Sequence, residues 1–370
     1  MITTTFFPGR YIQGYGAISR LGPEIVRLGE RGFLICSPTV HEKVLPTFQE
    51  ELSRSAKIAV EKFGGECSDQ EIDRLLKAAQ DARADVVLGM GGGKVIDTAK
   101  AVAHKLGSPV IIVPTVASSD APCSALSVIY TPDGVMDRPM PHPRSPDAVL
   151  MDSKIILEAP VRFLVAGMGD ALSTRFEAET CQKRYAPNMT YTGDTGSMTG
   201  YALASLCYQS LLKYGAAAKR ACEARAAIPA LEHIIETNTL LSGLGFESGG
   251  LGAAHGFQIG FTVLKETHRH LHGEVVAFGT QASLFLTDKS QEIIDEVYAF
   301  CESVGLPTTL SEIGLVDLRE TLLLAVSEKM MAADNPVHNE LVPITVDSII
   351  AAIKAADNEG RSRKLNGFKQ

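Results

Sequence analysis

Asp85-Val86-Val87-Leu88-Gly89-Met90-Gly91-Gly92-Gly93-Lys94-Val95-Ile96-Asp97 is the stretch on which the fold turns. An apolar run reads as a buried strand, three glycines follow it, and Ala99, Val102 and Ala103 then fall at helical spacing. Backbone amides without a Cβ, placed at a helix N-terminus, make a site for a phosphate or pyrophosphate. The pattern is neither G-x-G-x-x-G, whose third glycine would fall at Lys94, nor a Walker A loop, whose lysine follows a glycine five residues after the first. A tight strand-to-helix turn without any ligand is the competing interpretation.

Outward from this stretch, Phe33–Cys36, Val110–Val113 and Ala148–Met151 repeat the short apolar run. Such runs, alternating with helical patterns, predict a parallel sheet wound with helices. Ser68-Asp69-Gln70-Glu71 reads as a capping box in which Ser68 and Glu71 bond each other's amides, opening a helix through Ile72, Leu75, Leu76 and Ala79. Val128-Ile129-Tyr130 with the turn Pro132-Asp133-Gly134 predicts an inserted hairpin. From about Pro160 the character changes to Ala and Leu at 3.6-residue spacing. Helices are expected over 164–184, 201–212, 231–244, 250–265, 273–286, 291–304 and 346–356. The expected division is an α/β domain over 1–159 and an all-α domain over 160–370, hinged near Leu157–Val161. A cleft between two domains is where small-molecule sites concentrate.

The 370 residues are 45% hydrophobic and 21% charged, which excludes a disordered or low-complexity chain. Net charge is −8 and no dense basic run occurs, so no nucleic-acid or anionic-membrane partner is expected. No Trp and 6% aromatic residues argue against a single-strand stacking platform. The N-terminus lacks a basic segment followed by an apolar one, and no apolar run reaches the ~18 residues of a membrane span, which implies a cytoplasmic protein. Seven scattered cysteines, never spaced C-x-x-C, read as reduced thiols used as small apolar residues.

Two further signals bear on chemistry. Pro114-Thr115-Val116-Ala117-Ser118-Ser119-Asp120-Ala121-Pro122-Cys123-Ser124 directly follows a strand, and in an open α/β sheet such loops line the ligand crevice. An ordinary polar loop, with Asp120 as a turn residue, explains the same run. The other signal is dispersed: Asp170 in Gly-Asp-Ala-Leu, His255 in Ala-Ala-His-Gly and His272 in His-Gly-Glu. One carboxylate and two neutral imidazoles would leave a fourth zinc position open. No regular spacing identifies them, and each could be a satisfied core residue. His268 and His270 compete with His272, since all three could share a face of an extended stretch.

Taken together these motifs resemble the glycerol dehydrogenase branch of the metal-dependent, iron-type alcohol dehydrogenases. The likeness runs through Pro8–Gly14, Phe63–Ser68, Gly91–Lys94 with Asp97–Lys100, Asp120–Tyr130, Gly169–Leu172, Gly245–Leu251 and His272–Glu274. Asp-Ala-Pro-Cys-Ser-Ala-Leu-Ser is specific to that branch, whereas the glycine triplet is shared with dehydroquinate synthases and glycerol-1-phosphate dehydrogenases. The resemblance implies a dehydroquinate synthase-like architecture: a parallel dinucleotide-binding sheet plus a helical domain, with one Zn2+ per subunit on Asp170, His255 and His272. It implies polyol contacts from Asp120 and Phe246, and an NAD site lined by Ser37, Gly91, Gly92, Gly93, Asp97, Thr115, Ser118, Ser124, Leu126 and Tyr130. Members of the branch are commonly octamers, so a homo-oligomer is expected.

Three positions depart from the pattern. Ser37 stands where many relatives carry an Asp that bonds the adenosine ribose, which puts preference for NAD over NADP in doubt. Gln258 replaces a frequent second His. Thr174, one helical turn after Asp170, stands where iron-using relatives have another His ligand, which favours a three-ligand zinc site. The expected activity is oxidation of glycerol, or a similar vicinal diol, to the α-hydroxy ketone dihydroxyacetone. A dehydroquinate synthase-like lyase would need several basic residues around Asp120 and His255, where few occur. A nucleotide-binding protein without catalysis would have no use for all three of Asp170, His255 and His272.

Overall fold

The computed structural model describes residues 2–317 and 319–367. Its strands are β1 (Tyr11–Gly14), β2 (Arg31–Cys36), β3 (Lys57–Lys62), β4 (Val86–Gly91), β5 (Val110–Pro114), β6 (Leu126–Tyr130), β7 (Met136–Pro141) and β8 (Ala148–Asp152). Six form one sheet in the order β1-β8-β5-β4-β2-β3. Every pair in it is parallel. β6 and β7 make a separate antiparallel hairpin around the expected turn.

The four strands read from apolar runs are the four inner ones. Helices cover both faces of a parallel sheet, so an inner strand is apolar on both sides. Leu34, Leu88, Ile111 and Leu150 face one core with Leu21, Ile25 and Leu52. Their neighbours Phe33, Val87, Ile112 and Val149 face the other, with Ile72, Leu75, Ala99 and Val102. This second core continues without a break into Leu164, Met168, Leu172 and Tyr208 of the helical part. β1 and β3, which the apolar-run criterion does not find, are the two edges and are only half-buried.

Half of the expected capping box forms. Ser68 Oγ accepts the Glu71 amide at 3.3 Å, but the Glu71 carboxylate takes the Gly64 amide and Arg74 instead of the Ser68 amide. The Ser68 amide is already committed to the Glu66 carbonyl.

Beyond Pro160 the described elements are helices: Val161–Arg184, Met198–Glu223, Pro229–Glu236, Ser242–Gly249, Ala253–Phe261, His272–Leu286, Gln291–Val304, Glu320–Met330 and Val346–Gly367, with short helical turns between. Three expectations change here. The helix expected over 231–244 widens into a π-helical turn at Thr237–Leu241, where buried Asn238 donates to the carbonyls of Ala117 and Leu164. The helix expected from Gly250 starts at Ala253, because Gly250 at φ +101° and Gly252 at φ −144°, ψ −143° hold non-helical backbone, and a Cβ on Gly250 would lie 2.7 Å from Cys181 Sγ. Residues 265–269 form a 3-10 turn, not an extended stretch, so the three histidines do not share a face. The helix Glu320–Met330 was not anticipated.

The chain passes from sheet to helices through Ala159 and Pro160, between helices Ser153–Glu158 and Val161–Arg184. An N-terminal segment makes a second crossing, since Thr5 bonds Ser197 at 2.6 Å and the Phe6 amide bonds Ser248 at 3.2 Å. All seven cysteines are buried and unpaired. Among the described residues no helix is long and apolar enough to cross a membrane.

Candidate active site

β4 ends in Gly91, and the helix Gly93–Leu106 begins after Gly92 with no side chain capping it. Gly89 and Gly91 are small for packing: a Cβ on Gly89 would lie 2.5 Å from Ala99 Cβ, and one on Gly91 2.9 Å from Val95. Gly92 and Gly93 differ. A Cβ on Gly92 would meet nothing nearer than Val116 at 3.9 Å, and one on Gly93 nothing within 4 Å. Packing does not require these two glycines, so the bare-backbone reading gains over a tight turn.

Of the other residues expected at a cofactor, Thr115, Ser37 and Tyr130 contact the end of β4 or Lys94 beside it. Thr115 follows β5 and donates its amide to the Gly91 carbonyl at 3.1 Å. Ser37 follows β2, its amide on the Met90 carbonyl and its hydroxyl accepting the Val40 amide. Lys94 pairs with Glu66 at 2.5 Å and lies 4.8 Å from the centre of the Tyr130 ring. Leu126 and Ser118 are half-buried. Ser124 is buried and donates to the Ala121 carbonyl at 3.2 Å. The Asp97 carboxylate is engaged by the Val128 amide at 3.0 Å and by Lys100 at 3.4 Å, so the contact it makes is with the hairpin. Lys100, itself buried, also donates to the carbonyls of Ala121 at 2.6 Å and Leu126 at 2.8 Å. It clamps the 120–126 loop, a role that only its i, i+3 spacing from Asp97 hinted at.

That loop reaches the helical part through Asp120, whose amide donates to Asp170 Oδ2 at 3.3 Å. Asp170 stands midway along helix Val161–Arg184 and is fully buried. A Cβ on Gly169 would collide with the Gly273 carbonyl, and one on Gly273 with that of Ala166. These two glycines let helices Val161–Arg184 and His272–Leu286 touch backbone to backbone beside Asp170 and His272. Helix Ala253–Phe261 supplies His255 and packs its Ala254 carbonyl against Gly279. One donor atom from each of Asp170, His255 and His272 lies within 4.8 Å of the other two. His272 Nε2 is 3.3 Å and His255 Nε2 3.5 Å from Asp170 Oδ1, which has no hydrogen-bond partner among the described residues. His270 is outside this trio, 3.7 Å from Glu274, and His268 bonds the Thr262 carbonyl.

Burial raises a carboxyl's pKa, but His272 and His255 outweigh it and hold Asp170 low. Burial, then the charge of Asp170, pushes Asp120 well above the ordinary carboxylate range. Asp120 Oδ2 accepts from Ser242 Oγ at 3.0 Å, and Ser242 lies 2.9 Å from Thr174 Oγ1. Ser242 has one proton and gives it to Asp120, so Thr174 donates to Ser242. Thr174 thus supports Asp120. Phe246, one turn after Ser242 on the same helix, is buried. Gln258 is half-buried.

Glu177 was not anticipated. It lies two helical turns after Asp170, is 1% exposed, and meets His255 Nδ1 at 2.7 Å. Its i, i+7 spacing from Asp170 on one helix is the signal that could have found it.

Residues 8–153 match the model of the iron-containing alcohol dehydrogenases. A glycerol dehydrogenase of Thermotoga maritima is 58% identical over 98% of this chain and 99% of its own length. Among solved structures, a "probable glycerol dehydrogenase" of Sinorhizobium meliloti has a TM-score of 0.92 at 42% identity, covering 98% of this chain and all of that one. A glycerol dehydrogenase of Schizosaccharomyces pombe has a TM-score of 0.93 at 35% identity, covering all of this chain and 94% of that one. The likeness therefore spans both the glycine turn and the Asp-His-His trio, and the chain belongs to the iron-containing alcohol dehydrogenase family, as an alcohol oxidoreductase.

Proposed function

We propose that the protein oxidises glycerol, or a closely similar vicinal diol, to dihydroxyacetone or the corresponding hydroxy ketone, using NAD and one zinc ion per subunit. The observation that carries this reading is the convergence of Asp170, His255 and His272, beside Asp120, on a loop that leaves β5 next to the glycine turn. Relatives named glycerol dehydrogenase, matched over nearly the whole chain, support the substrate.

The donor set fits the metal. Two imidazoles and a carboxylate suit zinc and leave a position for substrate, and the unpartnered Asp170 Oδ1 is a buried acceptor for which a cation would compensate. Thr174 spends its hydroxyl on Ser242, which agrees with three protein ligands and not four. When bound, the ion supplies Lewis acidity to an alcohol oxygen, and the nicotinamide accepts hydride.

The chain's own residues bind and orient. Gly91, Gly92 and Gly93 offer backbone to the pyrophosphate, and Ser37, Thr115, Ser118, Ser124, Leu126 and Tyr130 line the remainder of the nucleotide site. Asp97 acts through the hairpin it anchors. Ser242 and Thr174 hold Asp120 so that its carboxylate can accept a hydrogen bond from the hydroxyl that is not oxidised, and Phe246 contacts the carbon chain. Asp170 and His255 are buried whereas the His272 side chain is 45% exposed, so substrate enters on the His272 side. Ser37 offers a hydroxyl and no charge to the ribose, so both NAD and NADP should be assayed. Seven free thiols suit a reducing compartment, and a cytoplasmic homo-oligomer is the proposed setting.

The test is metal content together with NADH formation on glycerol. His255→Ala should give a folded protein with little zinc and almost no turnover, whereas His270→Ala should keep its metal. Full zinc occupancy in His255→Ala would remove the assignment.

A further inference from the structure

We propose that Glu177 is a positioning residue that sets the tautomer of His255 and aims its Nε2 at the metal. The inference rests on the proposed metal role of Asp170, His255 and His272. Glu177 lies on helix Val161–Arg184 with Asp170, so one rigid element holds both a ligand and the group that orients a second ligand. Its Oε1 accepts two backbone amides, Gly252 at 3.0 Å and His255 at 2.8 Å. These bonds sit at the N-terminus of helix Ala253–Phe261, where unpaired amides and the helix dipole favour a carboxylate. With Oε1 held by two donors, the plane of the carboxylate is fixed. Oε2 is thereby placed 2.7 Å from His255 Nδ1.

An acceptor-only oxygen at that distance requires Nδ1 to carry the proton. The lone pair of a neutral ring is then on Nε2, the atom 3.5 Å from Asp170 Oδ1. Metal-ligating histidines generally give their second nitrogen to such a partner, and its loss costs about 10- to 100-fold in metal affinity.

Glu177 also caps a helix, and Glu177→Gln separates the two roles. A glutamine can keep its single oxygen on the Gly252 and His255 amides, which preserves the cap. Its NH2 group then faces Nδ1. Two donors cannot share that contact, so the ring is driven to the Nε2–H tautomer, which has no lone pair for a metal.

The experiment measures zinc affinity by competition with a chromophoric chelator, and the melting temperature of the zinc-stripped protein. Wild type should bind zinc tightly. Glu177→Gln should bind at least tenfold more weakly with an unchanged zinc-stripped melting temperature, and at saturating zinc it should lose the hydrogen-bonded Nδ1–H signal of His255 in 15N-histidine NMR. Equal zinc affinity in the two proteins overturns the inference while leaving the metal site standing. A folded wild type that takes up no zinc overturns the metal reading, and this inference with it. Should Glu177→Gln not fold, Glu177→Asp and Glu177→Asn are compared at equal length. The Asp variant must hold zinc more tightly, and equality of the two again overturns the proposal.

Discussion

Asp120 is subject to two opposed influences. It is 92% buried, with its carboxyl pushed toward the neutral form by burial and by Asp170, yet the proposed chemistry needs it as an acceptor. A cation on Asp170 cancels the second cause, so the metal site and the diol site are electrostatically linked. A charge-assisted hydrogen bond contributes roughly 1.5–3 kcal/mol. Asp120→Asn should therefore lower kcat/KM for glycerol by about one to two powers of ten, with Ser242 still able to donate to the amide oxygen. A mono-alcohol lacks the second hydroxyl and should be affected far less. Equal losses on both substrates would assign Asp120 to the metal or the fold.

The turn between β4 and the helix Gly93–Leu106 contains glycines of two kinds, and substitution should separate them. A methyl on Gly89 would meet Ala99 Cβ, which cannot move without shifting the helix, so Gly89→Ala should cost about 1–3 kcal/mol of stability in a urea titration. Gly92 has extended backbone, φ −87° and ψ −175°, and open space beyond it, so Gly92→Val should fold normally. Its branched side chain would stand where pyrophosphate must approach, and NAD affinity by fluorescence titration should fall at least tenfold, about 1.4 kcal/mol. Unchanged affinity would move the nucleotide elsewhere. These roles cannot be told apart in the sequence, because the difference is made by Ala99 and Val116, which reach the turn only through the fold.

Across the whole molecule, the joint between sheet and helices includes Glu247, whose Oε1 accepts the Ala125 amide at 2.7 Å while its buried Oε2 has no partner among the described residues. Burial raises its carboxyl to about 7 from 4.5, against the Ala125 bond and the charge of Lys100. Below the lower value both folded and unfolded chains hold the proton. As pH rises toward about 7 the unfolded chain releases it first, so stability falls, and above that the loss is complete at on the order of 3 kcal/mol. Glu247→Gln should remove this slope. Its urea midpoint relative to wild type should therefore be higher at pH 8 than at pH 5. A difference that does not vary with pH would mean that Glu247 is not strained in the folded state.

The inner strands β2, β4, β5 and β8 are legible in one dimension, since burial on both faces demands unbroken apolar runs, and helix Gln291–Val304 is legible because its apolar spacing is regular. Edge strands β1 and β3 pair on one side and stay half-buried, so Lys57 to Lys62 can carry charge at both ends and escape that signal. The same limit applies to the site. Motif resemblance singled out Asp170, His255 and His272, but composition and spacing left them as possible core residues. They meet where two glycines allow two helices to touch and where the Gly252 amide, at the start of the His255 helix, bonds Glu177 on the Asp170 helix. Pattern along a chain reports which face of an element is buried. Which elements approach closely enough to share one cation is set by excluded volume between them, and that exists only in three dimensions.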